Sequence, residues 1–304
     1  MNFEWKGIFP AITTKFTDAD ELDFEAFDVN LEAQIEAGVD GIILGGSLGE
    51  ASTLLQEEKD ALLKHTKDAS KERIPVLMNV AESSTKVAVD AAIKARDLGA
   101  DGLMLLPPMR YTSDERETIA FLRKVASATE LPIIVYNNPV DYKIWISPEI
   151  FRELEDLPTI QAVKESTRDI SNVTRMKNAF GDHYAVLTGV DTLGMESLLM
   201  GADGWVAGLV CAFPRETVAI YRLIKAGKIE EALKIYRWFL PVLELDVSTK
   251  LVQNIKLAES LTGIGNENVR APRLPLEGEE RDRVLSILNK ALETRPELPD
   301  YLNL

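Results

Sequence analysis

Eight short apolar runs recur along the chain, and segments of helical periodicity lie between them. The runs are residues 7–13 (Gly-Ile-Phe-Pro-Ala-Ile-Thr), 41–45, 75–80, 101–106, 132–137, 159–164, 184–189 and 203–207. Runs such as Ile133-Ile134-Val135-Tyr136 are too short and too β-branched for helices and read as strands. Between the first two, Phe24, Phe27, Leu31 and Ile35 recur at helical spacing and stop at Gly38, a helix-ending residue. Thr53-Leu54-Leu55-Gln56 has the form of a capping box with Thr53 as N-cap. Ser147-Pro148-Glu149 offers a serine cap, a proline at the first helical position and an acid near the positive helix end.

Three helix ends share one pattern: Ala37-Gly38-Val39-Asp40-Gly41, Gly99-Ala100-Asp101-Gly102 and Gly201-Ala202-Asp203-Gly204. Each precedes a strand. Common turn chemistry explains a single instance, with glycine in the left-handed conformation. The repetition favours one reiterated βα unit over two unlike domains. Eight such units in about 220 residues fit a closed (β/α)8 TIM barrel, for which ~250 residues is typical. The rival, a doubly wound open sheet, usually carries a glycine-rich phosphate loop after its first strand. Here that strand runs into Thr13-Thr14-Lys15-Phe16, with no glycine. Beyond the barrel the chain reads as helical to residue 294, over Ile229 to Leu240, Pro241 to Leu261 and Glu279 to Leu292. The expected organisation is a catalytic barrel over 1–226 and a C-terminal helical extension over 227–304.

Composition narrows the chemistry. Lys and Arg total 34 against 49 Asp and Glu, a net charge of −15. Such a balance repels nucleic acid and anionic membrane, so neither is an expected partner. Cys211 is the only cysteine, which excludes a disulfide within the chain. The N-terminus lacks a signal-peptide core, and no apolar run approaches the ~20 residues that span a bilayer. A soluble cytoplasmic protein is expected. His65 and His183 are the only histidines, and neither has a partner at metal-ligand spacing. Both read as surface residues, and neither a metal nor an organic cofactor is expected.

Active sites of such barrels lie at the C-terminal ends of the strands. Strand five ends in Tyr136 and strand six in Lys164, which makes the two side chains neighbours. Burial disfavours the ammonium form of a lysine, and a neutral amine attacks carbonyl carbon. A nearby phenol can shuttle protons during imine formation. The plain alternative is a lysine snorkelling from its strand end into water. After strand two, Gly45-Gly46-Ser47-Leu48-Gly49-Glu50 lets backbone N–H groups approach a ligand, a plausible carboxylate site. A tight turn with Ser47 as a local cap is the alternative there.

These residues also carry a resemblance. Gly46-Ser47-Leu48-Gly49-Glu50, Tyr136-Asn137-Asn138-Pro139 and Val163-Lys164-Glu165-Ser166 resemble the motifs of the dihydrodipicolinate synthase/N-acetylneuraminate lyase family, in the right order and on the right strands. The likeness covers nearly the whole chain. It implies a class I aldolase-type barrel, a homo-oligomer (tetramer or dimer), and a small 2-keto acid as substrate. It further implies that Lys164 forms a Schiff base and Tyr136 relays protons. Ser47 and Leu48 would hold the keto acid's carboxylate, and Gly189 and Val206 would line the pocket.

Three positions depart from the family pattern. Leu48 stands where a hydroxyl residue is usual. Asp141 stands where dihydrodipicolinate synthases place an arginine for the second substrate's carboxylate. The second tyrosine of the family's relay, contributed by a neighbouring subunit, aligns near Met109, so the relay is lost unless Arg110 or Tyr111 replaces it. An acid at 141 is expected to repel an anionic co-substrate. Pro107-Pro108-Met109-Arg110-Tyr111, Tyr136-Asn137-Asn138-Pro139 and Val269-Arg270-Ala271-Pro272-Arg273-Leu274-Pro275-Leu276 together resemble a catabolic branch of the family, the deaminases of 1-pyrroline-4-hydroxy-2-carboxylate, and that resemblance implies deamination. The alternatives are a 2-keto-3-deoxy sugar acid dehydratase or aldolase, or a condensation of pyruvate of the dihydrodipicolinate synthase type.

Overall fold

The computed structural model describes residues 3–108 and 111–304; Met109 and Arg110 lie outside the described residues. Each apolar run forms a strand: β1 (Gly7–Pro10), β2 (Ile42–Leu44), β3 (Val76–Val80), β4 (Gly102–Leu105), β5 (Ile133–Asn137), β6 (Ile160–Glu165), β7 (Ala185–Thr188) and β8 (Gly204–Ala207). They form one parallel sheet in the order β1-β8-β7-β6-β5-β4-β3-β2. A bridge between Ala11 and Ile43 joins the remaining seam, where the Ile12 N–H donates to the Ile43 carbonyl at 3.1 Å. The sheet is the expected (β/α)8 barrel rather than an open doubly wound one. Every residue of β2, β3, β4 and β5 is buried, because side chains face either the barrel interior or the surrounding helices.

The helices are α1 (Phe24–Ala37), α2 (Gln56–Ser70), α3 (Thr85–Asp97), α4 (Glu115–Ala126), α5 (Pro139–Tyr142), α6 (Pro148–Arg152), α7 (Ser171–Phe180), α8 (Gly194–Leu199), α9 (Pro214–Lys225), α10 (Ile229–Leu243), α11 (Leu251–Thr262) and α12 (Gly278–Glu293). None among the described residues is long and apolar enough to cross a membrane.

The repeated helix ends perform one task three times. Gly38, Gly99 and Gly201 all have positive φ, the conformation that suits glycine. The aspartate that follows reaches back to a neighbouring strand. Asp40 accepts from the Ile8 N–H at 2.8 Å, Asp101 from Val76 at 2.9 Å and Asp203 from Val186 at 2.7 Å. Each carboxylate also meets a helix cation: Arg222 at 3.4 Å, Lys67 at 2.6 Å and Lys177 at 2.7 Å respectively. The motif thus pins the N-terminal end of the barrel and leaves the opposite rim free for chemistry.

Two local expectations are corrected. α2 begins at Gln56, not after Thr53, whose hydroxyl donates to the Glu50 carbonyl instead at 2.9 Å. The capping carboxylate is Glu58, which accepts from the Leu55 N–H at 2.8 Å. The helix expected from Pro241 to Leu261 is in fact two. α10 tolerates Pro241 near its end and stops at Leu243, a single 3₁₀ turn covers Glu244–Asp246, and α11 starts at Leu251. Ser248 Oγ accepts from the Lys250 N–H at 3.1 Å, a local bond that competes with helix.

α11 ties the C-terminal helices to the barrel rim through buried ions. Glu259 accepts from Lys15 Nζ at 2.8 Å and from Thr13 Oγ1 at 2.7 Å, and Lys256 pairs with Glu50 at 2.5 Å. All four charged side chains are fully buried, so each needs its partner.

Candidate active site

β5 and β6 pair so that Tyr136 lies directly opposite Lys164. Both side chains are buried, at 8% and 6% exposure, so Lys164 does not snorkel into water. Its Nζ sits 4.1 Å from the centroid of the Tyr136 ring. Burial holds the Lys164 pKa below the usual lysine value of 10.5, against an opposing pull from Tyr142, Asp246, Asp191 and Asp141. Burial also pushes the Tyr136 phenol up to about 12, while a hydrogen bond from Asn138 pulls the other way. That bond spans 3.2 Å from Asn138 Nδ2 to the phenol oxygen.

The pair opens onto a cavity of about 110 Å³ at the C-terminal end of the barrel. That is room for several water molecules, and hence for a small organic acid. Ser47, Leu48, Tyr136, Lys164, Gly189 and Val206 all line it, so all six residues singled out from the sequence come together. Gly189 is required by packing: a Cβ there would lie 2.6 Å from Lys164 Cε and 2.2 Å from Ser166 Oγ. Asn79 fixes the loop after β2 by donating to the Gly45 carbonyl at 2.8 Å. Within that loop the Glu50 N–H donates to the Ser47 carbonyl at 3.2 Å, so the tight turn is present too. Thr13 and Thr14, at the end of the first apolar run, do not reach the cavity. They bond Glu259 and the Gly49 carbonyl, each at 2.7 Å.

Four polar residues of the wall, and one behind it, were not anticipated as site residues with these roles. Asn138 bridges Tyr136 and Asp141, donating to the Asp141 carboxylate at 2.7 Å. Tyr142 packs edge-on against the Tyr136 ring at 5.5 Å, and its oxygen lies 3.1 Å from Ser47 Oγ. Arg168 enters from the loop after β6, with its guanidinium 3.9 Å from Asp141. Its φ is 63°, a strained conformation for arginine. Asp246 arrives from the turn between α10 and α11 and occupies space that a side chain on Gly208 would fill. Behind it, Asp191 is held by Trp205 Nε1 at 3.0 Å and by the Gly208 and Leu209 N–H groups at 3.0 and 2.7 Å. Burial raises the pKa of both carboxyls above the ordinary 3.8, most strongly that of Asp246.

The histidines stand apart from the cavity. His65 is half-buried rather than at the surface. It stacks on Phe24 at 4.2 Å and bonds Asp28 at 2.6 Å. His183 is exposed beside Tyr184.

A parallel (β/α)8 barrel that gathers an amine, phenols and a hydroxyl at its C-terminal rim has the build of the class I aldolase-type enzymes. The dihydrodipicolinate synthetase family matches residues 4–291, and the chain belongs to it. A 4-hydroxy-tetrahydrodipicolinate synthase of Exiguobacterium sibiricum is 33% identical over 272 residues, covering 90% of this chain and 92% of that protein. One from Methanothrix thermoacetophila is 29% identical over 287 residues, covering 94% and 97%. Among solved structures, the 4-hydroxy-tetrahydrodipicolinate synthase of Methylacidiphilum fumariolicum superposes with a TM-score of 0.91 at 28% identity, covering 95% of this chain and 97% of that one. A dihydrodipicolinate synthase of Bacillus anthracis gives 0.92 at 26%, covering 97% and 100%.

Proposed function

We propose that the chain is a Schiff-base-forming enzyme that condenses pyruvate, or a close 2-keto acid, with an aldehyde. The observation that carries this reading is the buried Lys164 amine, opposite Tyr136 on the next strand and open to a small cavity. Lys164 attacks C2 of the keto acid, and loss of water leaves an iminium. The iminium acidifies C3, which gives up a proton to form an enamine. The enamine carbon then bonds to the aldehyde carbon, and the aldehyde oxygen takes up a proton. Tyr136 serves as acid and base, the backbone N–H groups at Ser47 and Leu48 flank the keto acid's carboxylate, and Gly189 and Val206 shape the pocket around it.

The relatives' names support the synthase direction. They lend no support to the 1-pyrroline-4-hydroxy-2-carboxylate deamination expected from the sequence. That expectation came from motif resemblance, and one of the two grounds for setting a synthase aside was Asp141 repelling an anionic co-substrate. Arg168 answers the objection, because it brings a cation to the same wall, 3.9 Å from Asp141. Asn138 partly satisfies the same carboxylate.

Incubating the full chain with pyruvate and aspartate semialdehyde is expected to yield a condensation product detectable by mass spectrometry. Ammonia release from the pyrroline with no condensation contradicts the proposal. One observation favours a second reading, cleavage or dehydration of a 2-keto-3-deoxy sugar acid. Asp141 and Asp246 present acceptors that suit sugar hydroxyls. Turnover of the sugar acids alone in the same assay would select it.

A further inference from the structure

The family's second relay tyrosine aligns near Met109, which lies outside the described residues. Tyr111, close by, is 54% exposed within the chain. A different phenol stands in the cavity. α5 is a single turn started by Asn138, whose side chain accepts from the Asp141 N–H at 3.2 Å, with Pro139 at its first position. Lys143, at φ 63°, ends it. The turn folds Tyr142 back over Tyr136, six residues upstream, ring edge to ring face at 5.5 Å.

We propose that Tyr142 and Ser47 supply the second half of the proton relay from within one subunit, Tyr142 facing the reacting oxygen and Ser47 facing water. The inference rests on the Schiff-base reading above. Tyr142 Oη and Ser47 Oγ lie 3.1 Å apart, and either atom serves as donor. Tyr142 lines the cavity with Lys164, while Ser47 is exposed at its mouth. Two hydroxyls in series pass a proton in either direction without a lasting phenolate, because each both donates and accepts. Burial raises the Tyr142 pKa, so the phenol keeps its proton at neutral pH.

The step balances as follows. The Lys164 amine adds to C2, the carbonyl oxygen gains a proton, and the nitrogen loses one, giving the carbinolamine. A further proton, supplied from the acid present in bulk solvent and passed through Ser47 and Tyr142, lets the hydroxyl leave as water. The sum is one amine, one carbonyl and one proton in, one iminium and one water out.

The test is a rapid-quench measurement of imine formation from pyruvate, trapped with borohydride and read by intact mass. It compares wild type, Tyr142→Phe, Ser47→Ala and Tyr111→Phe. Tyr142→Phe keeps the ring against Tyr136. It is expected to slow trapping by ~10²-fold or more with KM for pyruvate nearly unchanged. Ser47→Ala should show a smaller loss in rate, since water replaces the hydroxyl. A residue that only bound carboxylate would instead raise KM. A small buffer acid should restore the rate of Tyr142→Phe and leave wild type unaffected, a response that a packing role does not give. Tyr142→Phe trapping at the wild-type rate, or failing to respond to buffer acid, overturns the inference. So does a loss confined to Tyr111→Phe, which places the relay on the segment that carries the family's second tyrosine. If wild type itself forms no adduct, the Schiff-base reading falls first and takes this one with it.

Discussion

Lys164 and Tyr136 occupy matched positions on β6 and β5, with the amine 4.1 Å from the phenol ring centroid. Strand register fixes this relationship. A slip of one residue turns one of the two side chains to the opposite face of the sheet. The irregularity between Ile133 and Ile134 lies at the far end of the pair, so pairing is regular from Ile134 to the rim. The amine is therefore placed by a regular strand pair of the barrel, whereas Asn138, Tyr142, Arg168 and Asp246 come from the segments between the elements of the barrel.

Tyr136→Phe should fold normally and lose ~10²–10⁴-fold in turnover, the usual cost of removing a positioned acid–base. Steady-state kinetics beside thermal melting checks this. Wild-type turnover with an unchanged melting temperature would leave Tyr136 as packing alone.

Arg168→Gly relieves the left-handed strain at this position and removes the cation beside Asp141. The side chain is 44% exposed, so the lost interaction is worth about 1 kcal/mol, or about 5-fold in KM for an anionic aldehyde. Pyruvate KM and stability should hold. An unchanged aldehyde KM removes Arg168 from the site.

Asp246 makes stability depend on pH. Its folded-state pKa lies well above 3.8, chiefly through burial and the neighbouring Asp191, with Lys164 and Arg168 pulling down and Asp141 adding to the rise. The folded protein thus holds this proton more tightly than the unfolded chain. The stability so gained is full below ~pH 4 and is lost as pH rises through the folded value. In urea titrations Asp246→Asn should match wild type near ~pH 4 and exceed it increasingly toward neutrality. Equal differences at all pH values would contradict the assignment.

Lys256→Met leaves Glu50 buried without its main partner. Breaking such a pair costs ~3–5 kcal/mol. The low end is expected, because the Arg270 N–H at 3.1 Å and the Arg273 guanidinium at 3.5 Å still serve Glu50. Adding Glu50→Gln should restore part of the loss. Since Glu50 ends the loop that carries Ser47, the single variant should also raise KM for the keto acid. Denaturant titration and kinetics on both variants check this.

The barrel was legible because its signals are local. Apolar runs end at polar residues, and the Asp40, Asp101 and Asp203 turns repeat. Lys164 and Tyr136 were legible for the same reason, as polar residues closing apolar strands. The loop residues were harder to read. Asn138 followed by Pro139 has the form of a helix start that the sequence reading did not draw on, and even that form does not show that the turn folds Tyr142 over Tyr136. Arg168 takes a backbone conformation that its residue type disfavours, and only the surrounding fold selects it. Asp246 was hidden because helical periodicity continues across residues 244–250, where α10 has already ended, a 3₁₀ turn covers Glu244–Asp246 and Ser248 bonds the Lys250 N–H. The ion pairs of Lys15 and Lys256 join residues more than two hundred positions apart, beyond any local pattern.

Trapping with borohydride in the presence of pyruvate, followed by peptide mapping, locates the covalent link itself. A reduced adduct should appear on the peptide that contains Lys164 and vanish in Lys164→Ala while the variant stays folded. An adduct that persists in Lys164→Ala, or that maps to another lysine such as Lys15 or Lys256, would contradict the assignment of Lys164 as the nucleophile.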